Sequence, residues 1–326
     1  MIKWGVIGAG KMGRIFAQSI KDVDNAKLIA VASLNKKTLE LFGNDFKINE
    51  DLRFNNYKAI CENSEIDAIY ISTLNNTHLD LIKMCAIGKK NILCEKPFCL
   101  DLAEAIEAAR VIKENNIKFF EAIAYFSHPQ TNSLINLINI NEIGEIKSIE
   151  SSYGFKVKIR PESRLFNKKL GGGAILDVGC YPLSFISLFK GEKDSIEFKN
   201  INGEICETNV DIAASAQLLI NNKIICKIKV SLNEYFSNDS IICGTKGKII
   251  IQNPWSPDKK TFFEIFKNER SYKKFIESDL SLYANQIKNI SNRFLGNGND
   301  ALNLFDITKA VENMKHLDHW KKNINI

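Results

Sequence analysis

No run of this sequence is both long and apolar enough to span a bilayer, and its first residues enter a strand-like run without the regions of a signal peptide. A membrane is therefore not an expected partner, and the cytoplasm is the expected compartment. No Cys-x-x-Cys pair occurs among the eight cysteines, Cys61, Cys85, Cys94, Cys99, Cys180, Cys206, Cys226 and Cys243. Most sit in apolar runs, so they read as reduced, buried small hydrophobes. Histidine is scarce: only His78, His128, His316 and His319 are present, and the last two lack a nearby cysteine or suitable carboxylate. No metal is expected. A basic tail, a nucleic-acid motif, internal repeats and low-complexity segments are also missing. The net charge of +6 is spread over lysines along the chain, so nucleic acid is not an expected partner.

What is present begins at once. A short apolar run ending at Ile7 reads as a buried strand, and Met12, Ile15, Phe16 and Ile20 then recur at helical spacing. Between them lies Gly8-Ala9-Gly10-Lys11-Met12-Gly13, a Gly-x-Gly-x-x-Gly turn. In a dinucleotide site the first glycine permits the tight turn, the second lets backbone approach a pyrophosphate, and the third lets helix pack closely on strand. The N–H groups at the helix start then face the phosphates. A Rossmann domain selects its cofactor about twenty residues further on, where Asp or Glu would hold the ribose hydroxyls of NAD. This chain has Ser33-Leu34-Asn35-Lys36-Lys37 there. A hydroxyl followed by two cations suits the 2′-phosphate of NADP, with NAD as the alternative; a helix capped by Asn35 with solvated lysines would read the same way.

Ile66 to Ser72 is a third strand, followed by Thr73-Leu74-Asn75-Asn76-Thr77-His78 and a helix that Gly88 closes. Asn91 to Cys94 is a fourth, running directly into Glu95-Lys96-Pro97; ligands of parallel sheets bind beyond the carboxyl ends of strands. A helix over Leu102 to Ile112 and the run Lys118 to Ala122 complete an alternating strand-helix half. From Ala124 the texture changes. His128-Pro129 opens a helix to about Ile140, and strands follow at Ile196–Phe198, Ile212–Ile220, Ile224–Leu232, Ser240–Cys243, Lys248–Ile251 and Thr261–Phe266. Their short connections imply antiparallel neighbours. Helices over Leu280–Phe294 and from Ala301 to about Trp320 end the chain. The expectation is an α/β Rossmann domain with a doubly wound parallel sheet over 1–123, and an α+β domain with a large, mostly antiparallel open sheet over 124–326. The last helix is expected to pack back on the first domain.

Gly171-Gly172-Gly173-Ala174-Ile175-Leu176-Asp177-Val178-Gly179-Cys180-Tyr181-Pro182 is the second informative stretch. Asp177 and Tyr181 are four residues apart, a spacing that sets them on one face of a helix. Pro182 should kink that helix, and the glycines suggest close approach of something flat. A buried Asp capping backbone and a Tyr filling core is the alternative. Just upstream, Lys156, Lys158 and Arg160 alternate as on one strand face, followed by Arg164, Lys168 and Lys169. They would suit an anionic substrate feature, or a solvated surface.

The glycine turn, Glu95-Lys96-Pro97 after a strand, and the Gly171 to Tyr181 motif together resemble the glucose-fructose oxidoreductase, inositol dehydrogenase and MocA family, in this order over nearly the whole chain. Tyrosine at position 181, where inositol dehydrogenase-like members carry histidine, is similar to the dihydrodiol and xylose dehydrogenase branch. The resemblance implies an NAD(P)-dependent oxidoreductase acting on a sugar, sugar derivative or vicinal diol in a cleft between the domains, as a homodimer or homotetramer. It implies that Lys96 and Tyr181 flank the substrate oxygen, with Asp177 beside them. Tyr181, of ordinary pKa ~10, would be the proton donor, eased by the Lys96 cation. Cofactor contacts are expected from Gly8, Gly10, Lys11, Met12, Gly13, Ser33, Lys36, Lys37, Thr73, Asn75, His78, Glu95 and Lys96, and substrate contacts from Lys96, Phe126, Arg164, Asp177 and Tyr181. Phe126 stands where relatives often carry Arg. A polyol dehydrogenase using NAD, or a dinucleotide-binding sensor without catalysis, are the other readings.

Overall fold

A computed structural model describes residues 1–191, 193–297 and 304–324. Its contacts divide the chain into two units, Met1–Ser127 with Leu280–Glu312, and His128–Asp279 with Asn313–Ile326. The chain therefore returns to the first unit after building the second.

The first unit is a six-stranded parallel sheet in the order β3-β2-β1-β4-β5-β6, with β1 at Ile2–Ile7, β2 at Ala26–Ala32, β3 at Arg53–Phe54, β4 at Ala68–Ile71, β5 at Asn91–Cys94 and β6 at Phe119–Glu121. Helices α1 (Lys11–Ser19), α2 (Lys36–Asp45), α3 (Tyr57–Glu62), α4 (His78–Ile87) and α5 (Leu102–Glu114) make the crossovers. Strand β4 is buried throughout, which is why its sequence is continuously apolar rather than alternating. The order reverses between β1 and β4, so the glycine turn after β1 and the Ser72–His78 loop after β4 meet at the switch point where such sheets bind ligands.

The second unit opens with α6 (Pro129–Asn139), capped by His128, whose Nδ1 accepts the Gln130 N–H. Strand β7 (Ile146–Gly154) follows, then the short helices α7 (Ala174–Val178) and α8 (Cys180–Ser187). Strands β8 (Ile196–Ile205), β9 (Asp211–Ile220), β10 (Ile224–Ser231), β11 (Ser240–Gly244), β12 (Gly247–Ile251), β13 (Lys260–Lys267) and β14 (Arg270–Glu277) join β7 in an eight-stranded sheet. Its order is β14-β13-β12-β11-β7-β10-β9-β8, antiparallel except where β7 and β10 run parallel. In β10, Cys226, Ile228 and Val230 are buried while Ile225, Lys227 and Lys229 face out, so one side of this sheet is covered and the other is not.

Two elements depart from expectation. The basic run at Lys156 to Arg160 is not a strand: β7 ends at Gly154 and only Lys156 makes a single bridge, to Asn233. The last helix, α10 (Ile307–Lys322), begins after Asp306 bridges Phe120 of β6, and its expected start at Ala301 falls outside the described residues. The preceding helix, α9 (Leu282–Phe294), joins the first unit. There the Trp4 indole N–H donates to Ser291 Oγ at 3.1 Å and its ring lies 5.5 Å from that of Phe294. Among the described residues no single helix is long and apolar enough to cross a membrane.

Trp4 is fully buried in β1 and reaches α9 across most of the sequence. Trp4→Ala should lower stability by about 3–5 kcal/mol through cavity formation and the lost contact, read from urea unfolding of the whole chain. A loss below about 1 kcal/mol would mean that α9 docks without it.

Candidate active site

The glycine turn is built from three unlike glycines. Gly8 has φ +104°, and a Cβ there would lie 2.8 Å from the Ser72 carbonyl oxygen. At Gly13 a Cβ would lie 2.2 Å from the Gly8 carbonyl oxygen, so only glycine lets α1 sit this close to the turn. Gly10 differs from both. Its φ of −82° and ψ of −161° are open to ordinary residues, and no atom lies within 4 Å of where its Cβ would be. Gly10 is also the N-cap of α1, supplies no side-chain cap, and α1 carries no acid in its first turn. An uncapped helix start beside an open glycine fits a pyrophosphate. Lys11 is exposed and Met12 half-buried beside it.

At the end of β2, Ser33 is buried and its Oγ accepts the Asn35 N–H at 3.3 Å, while Asn35 caps α2 by accepting the Thr38 N–H at 2.9 Å. Lys36 and Lys37 are exposed in the first turn of α2, which holds no acid. Cations at a helix N-terminus are not stabilised by the dipole, so this end is doubly electropositive.

After β4, Thr73 and Thr77 share a hydroxyl hydrogen bond at 2.7 Å, and Asn75 is buried. His78 has no exposed surface: Nδ1 lies 3.0 Å from the Pro97 carbonyl oxygen and Nε2 lies 3.3 Å from that of Thr73. Its role in the described structure is to tie the Thr73–His78 loop to the turn after β5, and burial pushes the imidazole down to about 4. In that turn, where the Lys96–Pro97 peptide bond is cis, Glu95 Oε1 accepts a short 2.5 Å hydrogen bond from the Tyr70 hydroxyl. Phe16 stacks on Tyr70 with ring centroids 4.4 Å apart. Lys96 is half-buried. Phe126, expected at the substrate, is 1% exposed and packs against Tyr125 and Phe305. It is a core residue of the first unit.

In the second unit the glycine-rich motif is explained by the chain itself rather than by a flat ligand. A Cβ on Gly173, at φ +118°, would lie 2.2 Å from Asp211 Oδ1, and one on Gly172 would lie 2.7 Å from the Leu165 carbonyl oxygen. Asp211, buried on β9, accepts the Ile175 N–H at 2.6 Å and so holds the start of α7; burial pushes its carboxyl up to about 6. The expected single helix is broken at Gly179, where the axis turns by 46°. Asp177 is the last residue but one of α7 and Tyr181 the second of α8. Pro182 then falls in the first turn of α8, where its missing N–H leaves no helical bond unmade. Asp177 is buried and accepts a 2.8 Å hydrogen bond from Arg164 Nη1, whose side chain is 46% exposed.

Tyr181 stands in an aromatic group that sequence reasoning missed. Tyr153 and Trp255 have ring centroids 5.2 Å and 5.8 Å from it, Phe155 adjoins Tyr153, and the Trp255 indole N–H is anchored on the Ser152 carbonyl oxygen at 3.1 Å. No local signal marks them, because they come from β7, the residue after it and the loop after β12, and meet only in the folded unit. Among the described residues no three His, Cys, Asp or Glu side chains gather as a metal set. Of the eight cysteines seven are buried and Cys243 is half-buried, and none is in a disulfide.

The glycine turn at the switch point of a doubly wound sheet, with a second unit built on an open sheet, defines a dinucleotide-dependent oxidoreductase of two-domain type. The chain belongs to the GFO/IDH/MocA family: the model described as an oxidoreductase family with an NAD-binding Rossmann fold matches residues 2–122, and that of the GFO/IDH/MocA C-terminal domain matches 132–250. It is similar to trans-1,2-dihydrobenzene-1,2-diol dehydrogenase of Xenopus tropicalis, at 31% identity over 78% of this chain and 77% of that one. Among solved structures it resembles the 3-ketoreductase KijD10 of Actinomadura kijaniata bound to NADP and TDP-benzene, with TM-score 0.87 and 20% identity over 99% and 98% of the two chains. It also resembles the aldose-aldose oxidoreductase of Caulobacter crescentus, with TM-score 0.88 and 18% identity over 98% and 96%.

His78 binds fewer protons folded than unfolded between about 4 and its ordinary 6.5, so its contribution to stability is present above that window and lost as pH falls through it. Unfolding free energy should fall from pH 7 to 4, by on the order of 3 kcal/mol from this group, and the fall should shrink in His78→Gln. An unchanged acid limb in that variant would contradict a buried neutral imidazole.

Proposed function

We propose that the protein transfers a hydride between NADP and the carbinol or carbonyl carbon of a ring-bearing vicinal diol or sugar, with Lys96 and Tyr181 acting at the substrate oxygen. The observation that carries the dinucleotide part is Gly10: nothing in the protein requires glycine there, whereas a pyrophosphate lying on the backbone does. Gly8, Gly10 and Gly13 with the α1 N–H groups would hold the pyrophosphate, with Lys11 and Met12 along the same turn. Ser33, Lys36 and Lys37 would hold the 2′-phosphate, which the electropositive start of α2 favours over the free hydroxyls of NAD. Thr73, Asn75 and Glu95 would line the remainder, while His78 acts on them from behind. When bound, the dinucleotide supplies or accepts the hydride.

The chain's own residues handle the proton. In the reducing direction Tyr181 donates its phenolic proton to the substrate oxygen as the carbonyl becomes an alcohol, and the Lys96 ammonium stabilises the phenolate that remains. In the oxidising direction the same proton returns from alcohol to Tyr181. Asp177, held by Arg164, orients the substrate or Tyr181. Because Arg164 is already paired with Asp177 and the remaining cations of that stretch lie outside any strand, a neutral ring is favoured over an anion. The half-buried rings of Tyr153, Phe155 and Tyr181 supply an apolar surface for one face of that ring. Dehydrogenases named for a benzene dihydrodiol are among the relatives, which supports the same class. Self-association through the eight-stranded sheet belongs to this reading: Phe275 on the edge strand is 71% exposed and pairs with Phe262 at 5.7 Å.

Turnover of trans-1,2-dihydrobenzene-1,2-diol with NADP⁺ tests this reading. Lys96→Met and Tyr181→Phe should each lower kcat by about 10²- to 10⁴-fold while NADPH binding, followed by fluorescence, persists. Full turnover in Tyr181→Phe with loss in Lys96→Met would move the proton-donor role to the lysine. Failure of the wild type with this diol, monosaccharides and NAD⁺ alike would favour the non-catalytic sensor.

A further inference from the structure

Glu121 ends β6 directly opposite Cys94, the last residue of β5, and so lies beneath the turn that carries Glu95 and Lys96. It is 2% exposed, an unusual place for a carboxyl. One oxygen, Oε1, accepts the Phe98 N–H at 3.1 Å; the other, Oε2, is buried with no hydrogen-bond partner. A core acid serving only as a brace for Phe98 would leave that second oxygen as uncompensated cost. The groups that face it are Lys96 and Glu95 in the turn, the Cys94 thiol from β5 and the Cys99 thiol beyond Phe98. Lys96 is the one cation among them.

We propose that Glu121 is a positioning residue for Lys96, fixing the Glu95–Lys96–Pro97 turn through the Phe98 amide and, once ionised, supplying a buried charge that helps to hold the lysine's proton. The inference rests on the oxidoreductase reading above, in which Lys96 must be an ammonium at the substrate oxygen.

Burial pushes the Glu121 carboxyl up to about 8, against the pull of the Phe98 amide and the Lys96 charge, and Glu95 pushes it the same way as burial. Near neutral pH it therefore carries a proton and adds no charge beneath Lys96. As pH rises through that range Glu121 ionises, and a carboxylate then stands beneath Lys96. An opposite charge favours the charged form of a lysine, so the ammonium survives to higher pH than it otherwise would.

The test reads Lys96 directly. Reductive methylation with ¹³C-formaldehyde labels the lysines of the whole chain without removing their charge, and the Lys96 signal is the one missing from Lys96→Met. In the wild type that signal should titrate in two steps, the first as Glu121 ionises. In Glu121→Gln, whose amide oxygen can still accept the Phe98 N–H, the first step should vanish and the Lys96 midpoint should fall by about one pH unit. The alkaline limb of kcat with the dihydrodiol and NADP⁺ should move down by the same amount. A Lys96 signal with a single step in the wild type, or an unmoved midpoint in Glu121→Gln, would overturn the proposal and leave Glu121 a brace. The wild-type measurement decides the matter even if Glu121→Gln does not fold. A wild type inactive on every substrate with the two-step titration intact would instead count against the oxidoreductase reading alone.

Discussion

Everything in the first unit that faces a ligand depends on how closely α1 approaches the turn above β1. A single methyl on Gly13 would lie 2.2 Å from the Gly8 carbonyl oxygen, so that packing exists only with glycine. With α1 seated there, its uncapped start is fixed beyond the carboxyl end of β1, next to the Ser72 loop. The dipole and unpaired N–H groups of the helix then become a place for phosphate rather than a defect of capping. Gly10 completes the arrangement by leaving space that the protein itself does not use.

Around Lys96 the same logic operates through buried polar groups. The turn after β5 is held from three sides: Tyr70 binds Glu95, His78 lies against Pro97, and Glu121 accepts from Phe98. Each of these partners is buried, and each would cost stability if left unsatisfied, so together they over-determine the backbone that presents the lysine. Two of them have shifted acidities of opposite meaning for stability. His78 weakens the unit in acid. Glu121, which binds more protons folded than unfolded between its ordinary 4.5 and about 8, weakens it as pH rises through that range.

Much of this was legible in the sequence because the first unit is buried on both faces. Runs such as Ala68 to Ile71 and Ile92 to Cys94 are apolar without interruption, and glycine spacing marks the turn between β1 and α1. The second unit was less legible where its strands lie near solvent or carry little apolar surface. Strand β14 reads Arg-Ser-Tyr-Lys-Lys-Phe-Ile-Glu with Ile276 alone well buried, and β7 is rich in serine, so neither shows a strand pattern. Lys156, Lys158 and Arg160 alternate as a strand would, yet no partner strand pairs with them beyond one bridge. The glycines at 171 to 179 were visible, but their cause was not: Gly173 answers to Asp211, nearly forty residues later, and Gly179 to a break between two helices. His78 and Phe126 show the same limit: pattern located them near the site, and the structure buries both among protein partners.

The central claim, that the opening turn is shaped for a dinucleotide and not merely for folding, is tested most directly by comparing Gly10→Ala with the wild type. Thermal unfolding and calorimetric titration with NADPH would be measured on the same samples. Since no atom lies within 4 Å of the added methyl, the unfolding transition should stay where it is. NADPH affinity should fall by at least about tenfold, ~1.4 kcal/mol, because the methyl occupies the path of the pyrophosphate. Unchanged stability with unchanged affinity would contradict the account.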